Sequence, residues 1–381
     1  MSAAARLIRA LGLAIMLTIA GAGFGPPRAL AADAAAPRLP AWLDEVTLDG
    51  FLSTTYSYNF NRPGTRTNQL RVFDLVDNSF RLELFELVAQ RAVANPREAG
   101  FRVDVALGSS VPRVSSSRGL FRTDSTTTDV DLQQAFASYV APLGSGLRID
   151  LGKFITSHGY EVIEGYDGWN DNATRSILFG FAIPFTHTGA RATYVFSKHL
   201  TGALMVVNGW DVAEDNNRSK TVGGQLVLTP VAPVTLTLNG MTGPERANDD
   251  SDARTLFDAT AIWNLADRVT LGANGDWGSE RGAVVAGETA RWDGYAGYAR
   301  AAHGNLALSL RAESFDDHDG ARTGTAQRLT EFTVTPEARL TQHLLVRADL
   351  RVDRSDRSVF EKRLGTTKTQ PTLLLNLLYS F

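Results

Sequence analysis

The stretch Thr372-Leu-Leu-Leu-Asn-Leu-Leu-Tyr-Ser-Phe381 ends the chain, and its alternation decides how the rest is read. Successive side chains of an extended strand point to opposite faces, so Leu373, Leu375, Leu377, Tyr379 and Phe381 share one side. That side is apolar throughout and finishes in two aromatics. The same period of two recurs upstream in segments of about ten residues. Val46, Leu48, Leu52, Tyr56, Tyr58 and Phe60 oppose Thr47, Asp49, Ser53, Thr55, Ser57 and Asn59. Phe101, Val103, Val105 and Leu107 oppose Arg102, Asp104 and Ala106, while Leu147, Ile149 and Leu151 oppose Arg148 and Asp150. Leu344, Val346, Ala348, Leu350 and Val352 oppose Arg347, Asp349, Arg351 and Asp353.

A soluble sandwich alternates too, so the decision rests on what each face carries. The polar faces hold Arg and Asp in mid-strand, which a dry core excludes and a water-filled interior accepts. Aromatics gather at strand ends (Tyr56, Tyr58, Phe60, Trp263, Trp277, Trp292, Tyr379, Phe381), where the two interfaces of a membrane would lie. Beyond the N-terminal region no run nears the ~18 apolar residues of a membrane helix. A closed barrel is the other structure that pairs every backbone group within lipid. The expected fold is therefore all-β, a transmembrane antiparallel up-and-down β-barrel.

Connections alternate short and long. Short ones fall at 95–98, 142–145, 197–199, 231–233, 265–267, 302–305 and 341–343. Long ones lie near 61–78, 111–129, 159–187, 211–219, 244–253, 279–290, 316–326 and 354–369. Short periplasmic turns and long outer loops are the rule for such barrels, and these join about sixteen strands, within a range of 14–18. An even count leaves both termini on the periplasmic side. One segment resists this count. Ser176–Pro184 reads as a strand by itself, yet as a wall strand it would make the total odd. We read it as part of a long third outer loop folded back into the lumen, with a hairpin above the rim or a true wall strand as alternatives.

The N-terminus has the layout of an export signal: Arg6 and Arg9, an apolar stretch from Ala10 to Phe24, then Ala29-Leu30-Ala31. Residues 1–31 are expected to be this signal peptide, 32–44 a short periplasmic lead-in and 45–381 the barrel. The chain has 381 residues, no cysteine and a formal net charge of -3. Loss of Arg6, Arg9 and Arg28 from 38 basic residues leaves 35 against 41 acids, a net -6. Disulfide and thiolate chemistry are excluded, and the thinly spread Lys and Arg leave no basic face for nucleic acid.

Charge in the third loop is where selectivity would reside, because charged groups at a constriction filter ions by attraction and repulsion. The loop supplies Glu161, Glu164, Asp167, Asp171 and Arg175, flanked by His158 and His187. The facing wall offers Arg102, Arg148, Arg311, Arg347 and Arg351, with Asp104, Asp150, Glu313, Asp349 and Asp353 beside them. Either an acidic loop faces a basic wall across open water, or the charges pair along the wall and stabilise it. Acidic outer loops at Asp211, Glu214 and Asp215, at Asp249, Asp250 and Asp252, and at Asp316, Asp317 and Asp319 lack the spacing of a calcium loop. Metal, nucleophile and phosphate-loop motifs are absent, so neither enzyme activity nor any cofactor is expected.

Two stretches resemble the putative β-barrel porin 2 (OmpL-like) family of bacterial outer-membrane proteins. They are Asp171-Asn-Ala-Thr-Arg-Ser-Ile-Leu-Phe-Gly-Phe-Ala-Ile-Pro-Phe-Thr-His-Thr-Gly-Ala-Arg191 and Val207-Asn-Gly-Trp-Asp-Val-Ala-Glu-Asp-Asn-Asn-Arg-Ser-Lys220. Asp49-Gly50-Phe51 and the terminal Phe381 extend the likeness over most of the chain. The resemblance implies a porin-like role without naming the cargo. The expected function is a passive outer-membrane channel for small hydrophilic solutes or ions, since a barrel of ~16–18 strands leaves an aqueous lumen. The rivals are a non-conducting barrel for adhesion or docking, and a substrate-specific transporter. Expected partners are outer-membrane lipids, the transported solutes, and the barrel-assembly machinery reading the aromatic terminus at Phe381. Nucleic acid is excluded, and a homo-oligomer is left open.

Overall fold

The computed structural model describes residues 45–114 and 130–381. The expected signal peptide, the lead-in and most of the second outer loop lie outside these residues. The chain runs through β1 (Thr47–Asn59), β2 (Ser79–Arg91), β3 (Ala99–Leu107), α1 (Val111–Val114), β4 (Val130–Ala141), β5 (Leu147–Ile155), α2 (Ile177–Phe181), β6 (Thr186–Ser197) and β7 (Leu200–Val207). It continues with β8 (Thr221–Val231), β9 (Val234–Pro244), β10 (Ala253–Ala266), β11 (Val269–Arg281), β12 (Thr289–His303) and β13 (Leu306–Asp317). Then follow β14 (Gln327–Arg339), β15 (Leu344–Ser355), the two-residue β16 (Phe360–Glu361) and β17 (Thr366–Thr367), and β18 (Thr369–Ser380).

Sixteen of these strands form one closed antiparallel barrel, each pairing with its chain neighbours, and β16 and β17 make a small separate ribbon in the last outer loop. Closure joins β1 to β18 in the register Phe51↔Ser380 to Asn59↔Thr372. The ladder extends one step past the strand: Gly50 N–H donates to the Phe381 carbonyl at 2.8 Å and Phe381 N–H to the Gly50 carbonyl at 3.0 Å. The even count and the positions of short and long connections agree with the alternation read from the sequence.

Parity sorts the side chains. On β13, Arg311 and Phe315 are 0% exposed inside the barrel while Leu308 and Leu310 face outward. Outward aromatics form two bands. Near the outer rim lie Tyr56 against Phe80 (ring centroids 4.6 Å apart) and Trp277, whose indole N–H donates to the Tyr295 hydroxyl at 3.1 Å. Near the periplasmic rim lie Tyr139, Phe196, Trp263, Tyr379 and Phe381, all substantially exposed. Trp292 is a correction. It is 1% exposed and points into the lumen, on the same parity as Gly294, Ala296 and Tyr298.

Ser176–Pro184 lies in the third outer loop and turns into the lumen, as read from its place in the strand count, but it is not the extended segment its composition suggests. It is neither wall strand nor hairpin; its centre is the short helix α2 within the third outer loop. Ser176 caps that helix, its hydroxyl accepting from Phe179 N–H at 3.0 Å. Serine stabilises a helix start this way, and the apolar run behind it packs inside the barrel instead of entering the ladder.

Candidate functional site

The third outer loop, residues 156–185 between β5 and β6, turns inward and follows the inner wall. Near its start the Ser157 hydroxyl reaches Asn239 on β9, and Tyr160 N–H donates to Asn274 on β11 at 3.0 Å. The Tyr160 ring stacks on Tyr298 of β12 with centroids 4.0 Å apart. Glu161 then pairs with Arg311 of β13 at 2.7 Å and Glu164 with Arg347 of β15 at 2.6 Å. Past the β1–β18 seam, Tyr166 N–H donates to Glu86 of β2 at 2.7 Å and Asp167 pairs with Arg102 of β3 at 2.6 Å. The chain doubles back: Asn172 donates to Thr335 on β14, Thr174 to Asp349 on β15, and Ile177 and Leu178 N–H to Glu313 at 2.7 and 3.0 Å.

The sequence-predicted charges are therefore largely brought together, as direct pairs between loop and wall. Arg311 donates to Glu161, to the Thr174 carbonyl and to Glu331 on β14 (3.0 Å). Arg175 pairs with Glu164 at 3.0 Å, and Asp171 approaches Arg300 at 3.4 Å. Arg351 donates to the Arg175 carbonyl and pairs with Asp353 at 2.7 Å. Arg148 is the exception: it pairs with Asp150 on its own strand at 2.8 Å and, among the described residues, with none of the loop acids, its side chain remaining 41% exposed.

Several members were not foreseen. Arg300, Glu331 and Glu86 carry the inward parity of their strands, so counting from the neighbouring turns would have found them. Arg71 and Asp74, in the first outer loop, also dip inward; Arg71 pairs with Asp353 at 2.6 Å and Asp74 at 2.9 Å. A loop has no period, and nothing in the sequence marks that inward course. Nor was an apolar cluster expected inside the barrel: Phe73, Phe179 and Phe185 meet with centroids 5.3–5.9 Å apart, beside Ile177 and Leu178.

The lumen is asymmetric as a result. On the wall the loop covers, Arg311, Arg347, Asp349 and Arg351 are at most 2% exposed. On the opposite wall, the inward residues Arg191, Thr193, Ala203, Gly223 and Gln225 of β6, β7 and β8 stay half-buried. Small side chains dominate there, and a cleft runs between Ser157, Arg191, Thr193, Gly224 and Gln225. His158 and His187, the pair flanking the loop, are buried, with the Thr156 hydroxyl 3.2 Å from each ring. Among the described residues no three His, Asp or Glu side chains are grouped to hold a metal. In the outer loops the acids meet bases instead, Asp252 with Arg246 at 3.1 Å and Asp316 with Arg328 at 2.6 Å.

The barrel is similar in fold to solved bacterial porins and outer-membrane channels. The anion-selective porin from Comamonas acidovorans aligns with 12% identity over 88% of this chain and 99% of that one, at a TM-score of 0.57. The outer membrane channel DcaP of Acinetobacter baumannii aligns with 9% identity over 88% of this chain and 97% of that one, at 0.60. OmpT of Vibrio cholerae gives 9%, 88%, 97% and 0.59. At such identities the likeness is one of fold. No curated protein matches the sequence. Residues 45–381 match the family described as putative beta-barrel porin-2, OmpL-like, which spans the whole barrel. The chain belongs to that family and is a porin of the bacterial outer membrane.

Proposed function

We propose that the barrel passes small hydrophilic solutes and ions by passive diffusion, along a water path on the β6–β8 wall. The third loop narrows the lumen to that side. The observation that carries this reading is the lopsided exposure: one wall is sealed by the loop, and the other stays half-open and is lined with small and polar groups. A barrel of this strand number is wide enough for an aqueous channel. Glu161, Glu164, Asp167, Asp171 and Arg175, with Arg102, Arg311, Arg347 and Arg351, set the width of the constriction by fixing the loop, while Arg148 and Arg191 present their charge to the path.

Purified protein in planar bilayers is expected to give stepwise conductance, and substitution of Gly223 or Ala203 by Phe should lower it. A correctly folded barrel that inserts without conducting would overturn the channel reading. It would favour the second reading, a closed barrel used for docking, which the apolar cluster around Phe73 and Phe179 supports.

A further inference from the structure

β2 meets β1 with a register shift: Leu82 pairs with Thr54 and Leu84 with Ser53, leaving Glu83 as an extra residue. A bulge of this kind re-aims a side chain, and both Glu83 and Leu84 turn inward, 8% and 5% exposed. Gly108 lies against the bulge at φ +128°, where a Cβ would stand 2.7 Å from the Glu83 carbonyl oxygen. Glycine alone fits that approach. The following backbone is held down by Ser109 N–H to the Leu82 carbonyl (3.1 Å) and Ser110 N–H to the Glu83 carbonyl (3.0 Å), and leads into α1 with Arg113.

Three guanidiniums gather around Glu83. Arg81 sits two residues before it, on the inward parity opposite Thr55; Arg175 arrives from the third loop; Arg113 comes from α1 and feels both Arg81 and Glu83. No ion pair joins them to this carboxylate among the described residues, because its oxygens are held by the hydroxyls of Ser110 and Thr55 (3.1 Å). Arg81 Nη1, Arg113 Nε and Arg175 Nε are each buried and have no hydrogen-bond partner among the described residues. Arg175 is 8% exposed, and its other nitrogens are engaged by Glu164 and the Ala173 carbonyl. A buried donor without an acceptor is costly. Arg81 stands two residues before Glu83, Arg113 N–H donates to the carbonyl of Ser110 (2.9 Å) whose hydroxyl holds that carboxylate, and Arg175 is brought in by the third loop. Donors left open around one carboxylate mark a position that an anion from outside would fill.

We propose that Arg81, Arg113 and Arg175 form a binding subsite for a small multivalent oxyanion at the outer mouth of the lumen. Guanidinium N–H groups match such oxyanions in geometry as well as charge. Arg81 lies on the inner parity of β2, and Arg175 is buried where the third loop turns into the lumen, so lipid headgroups outside the wall do not reach the cluster and the anion comes from solution. The proposal gives the channel reading a solute class to concentrate at its entrance, and rests on that reading for its role, though not for the binding itself.

The test is equilibrium dialysis of the detergent-folded barrel against radiolabelled inorganic phosphate at low ionic strength. One phosphate per chain is expected, displaced by sulfate. Arg81→Gln with Arg113→Gln should weaken it by about tenfold or more, while Arg328→Gln on the exposed rim should leave it unchanged. Heat-modifiable mobility reports the fold of each variant; if the double variant does not fold, Arg113→Gln alone, lying off the ladder, decides. Folded wild type that retains no phosphate, or variants that bind it equally well, would overturn the subsite. Conductance in chloride is measured in parallel. Conduction without phosphate binding removes the subsite alone, and phosphate binding without conduction removes the channel alone.

Discussion

Arg311 is fully buried in the wall and satisfied on every side, by Glu161, Glu331 and the Thr174 carbonyl. Glu164 is likewise shared between Arg347 and Arg175. Breaking a buried pair by removing one partner costs about 3–5 kcal/mol where nothing replaces it; here Glu331 remains beside Arg311, so the low end applies. The pairing changes what the acids of the loop are expected to do. Glu161→Gln with Glu164→Gln should loosen the loop, giving noisier and larger single-channel currents, with little change in reversal potential in asymmetric salt. A strong shift of reversal potential with quiet currents would mean instead that these carboxylates face the passing ion. Alternation placed Arg102, Arg311, Arg347 and Arg351 on the inner face correctly because parity is a property of the strand. It did not reveal that their partners would lie in direct contact, since a loop has no parity. Trp292 was misplaced for a related reason: it was assigned by its aromatic character, whereas its neighbours Gly294 and Ala296 put it inside. There its indole N–H donates to the Ala182 carbonyl of the loop at 3.2 Å.

At the scale of elements, the strands and their connections were legible in the sequence and the course of the loops was not. Strand ends are marked by turn residues and by loss of the period of two. Ser176–Pro184 has the composition of a strand, and what makes it a helix is a single capping hydroxyl with a bed of apolar side chains supplied by other parts of the chain. If the third loop narrows the lumen, replacing residues 160–182 with a short Gly-Ser link should raise conductance severalfold while the heat-modifiable barrel persists. Unchanged conductance would place the constriction elsewhere. The turn between β2 and β3 gives a prediction about pH. Hydrogen bonds from the Asn95 side chain, and from Asn95 and Ala94 N–H, hold the Glu98 carboxyl well below its usual 4.5, at about 2. A carboxyl whose folded pKa is depressed stabilises the fold above its unfolded value and loses that contribution as pH falls through the folded one. Glu98→Ala should therefore lower the thermal midpoint at neutral pH, and the difference from wild type should fade between pH 4.5 and 2. A difference that is constant with pH would assign the turn's stability to something other than this charge.

The whole molecule depends on its last strand, because a barrel has no free edge only when that strand closes it. β18 lies between β15 and β1, so Thr369–Ser380 makes both of the seams that close the sheet on itself. The terminal residue continues the ladder through its two backbone bonds with Gly50. Its ring lies over that glycine so closely that a Cβ there would stand 2.2 Å from the ring carbon Cζ. On the other side the ring meets Tyr379, centroids 6.0 Å apart, in the periplasmic aromatic band. Phe381 thus bonds the seam and anchors it at the interface. Deleting Phe381 removes both backbone bonds and the ring, and should lower the yield of heat-modifiable barrel in cells and in detergent refolding. Gly50→Val keeps the terminal residue and blocks the ring from its seat, so it separates the two contributions. If the ring's seat on the seam governs closure, Gly50→Val should slow refolding nearly as much as the deletion. If the aromatic end acts as a recognition signal for assembly machinery, Gly50→Val should assemble normally in cells, and only the deletion should fail there. Normal folding of the deletion in both settings would deny Phe381 either role and leave closure to the rest of the β1–β18 ladder.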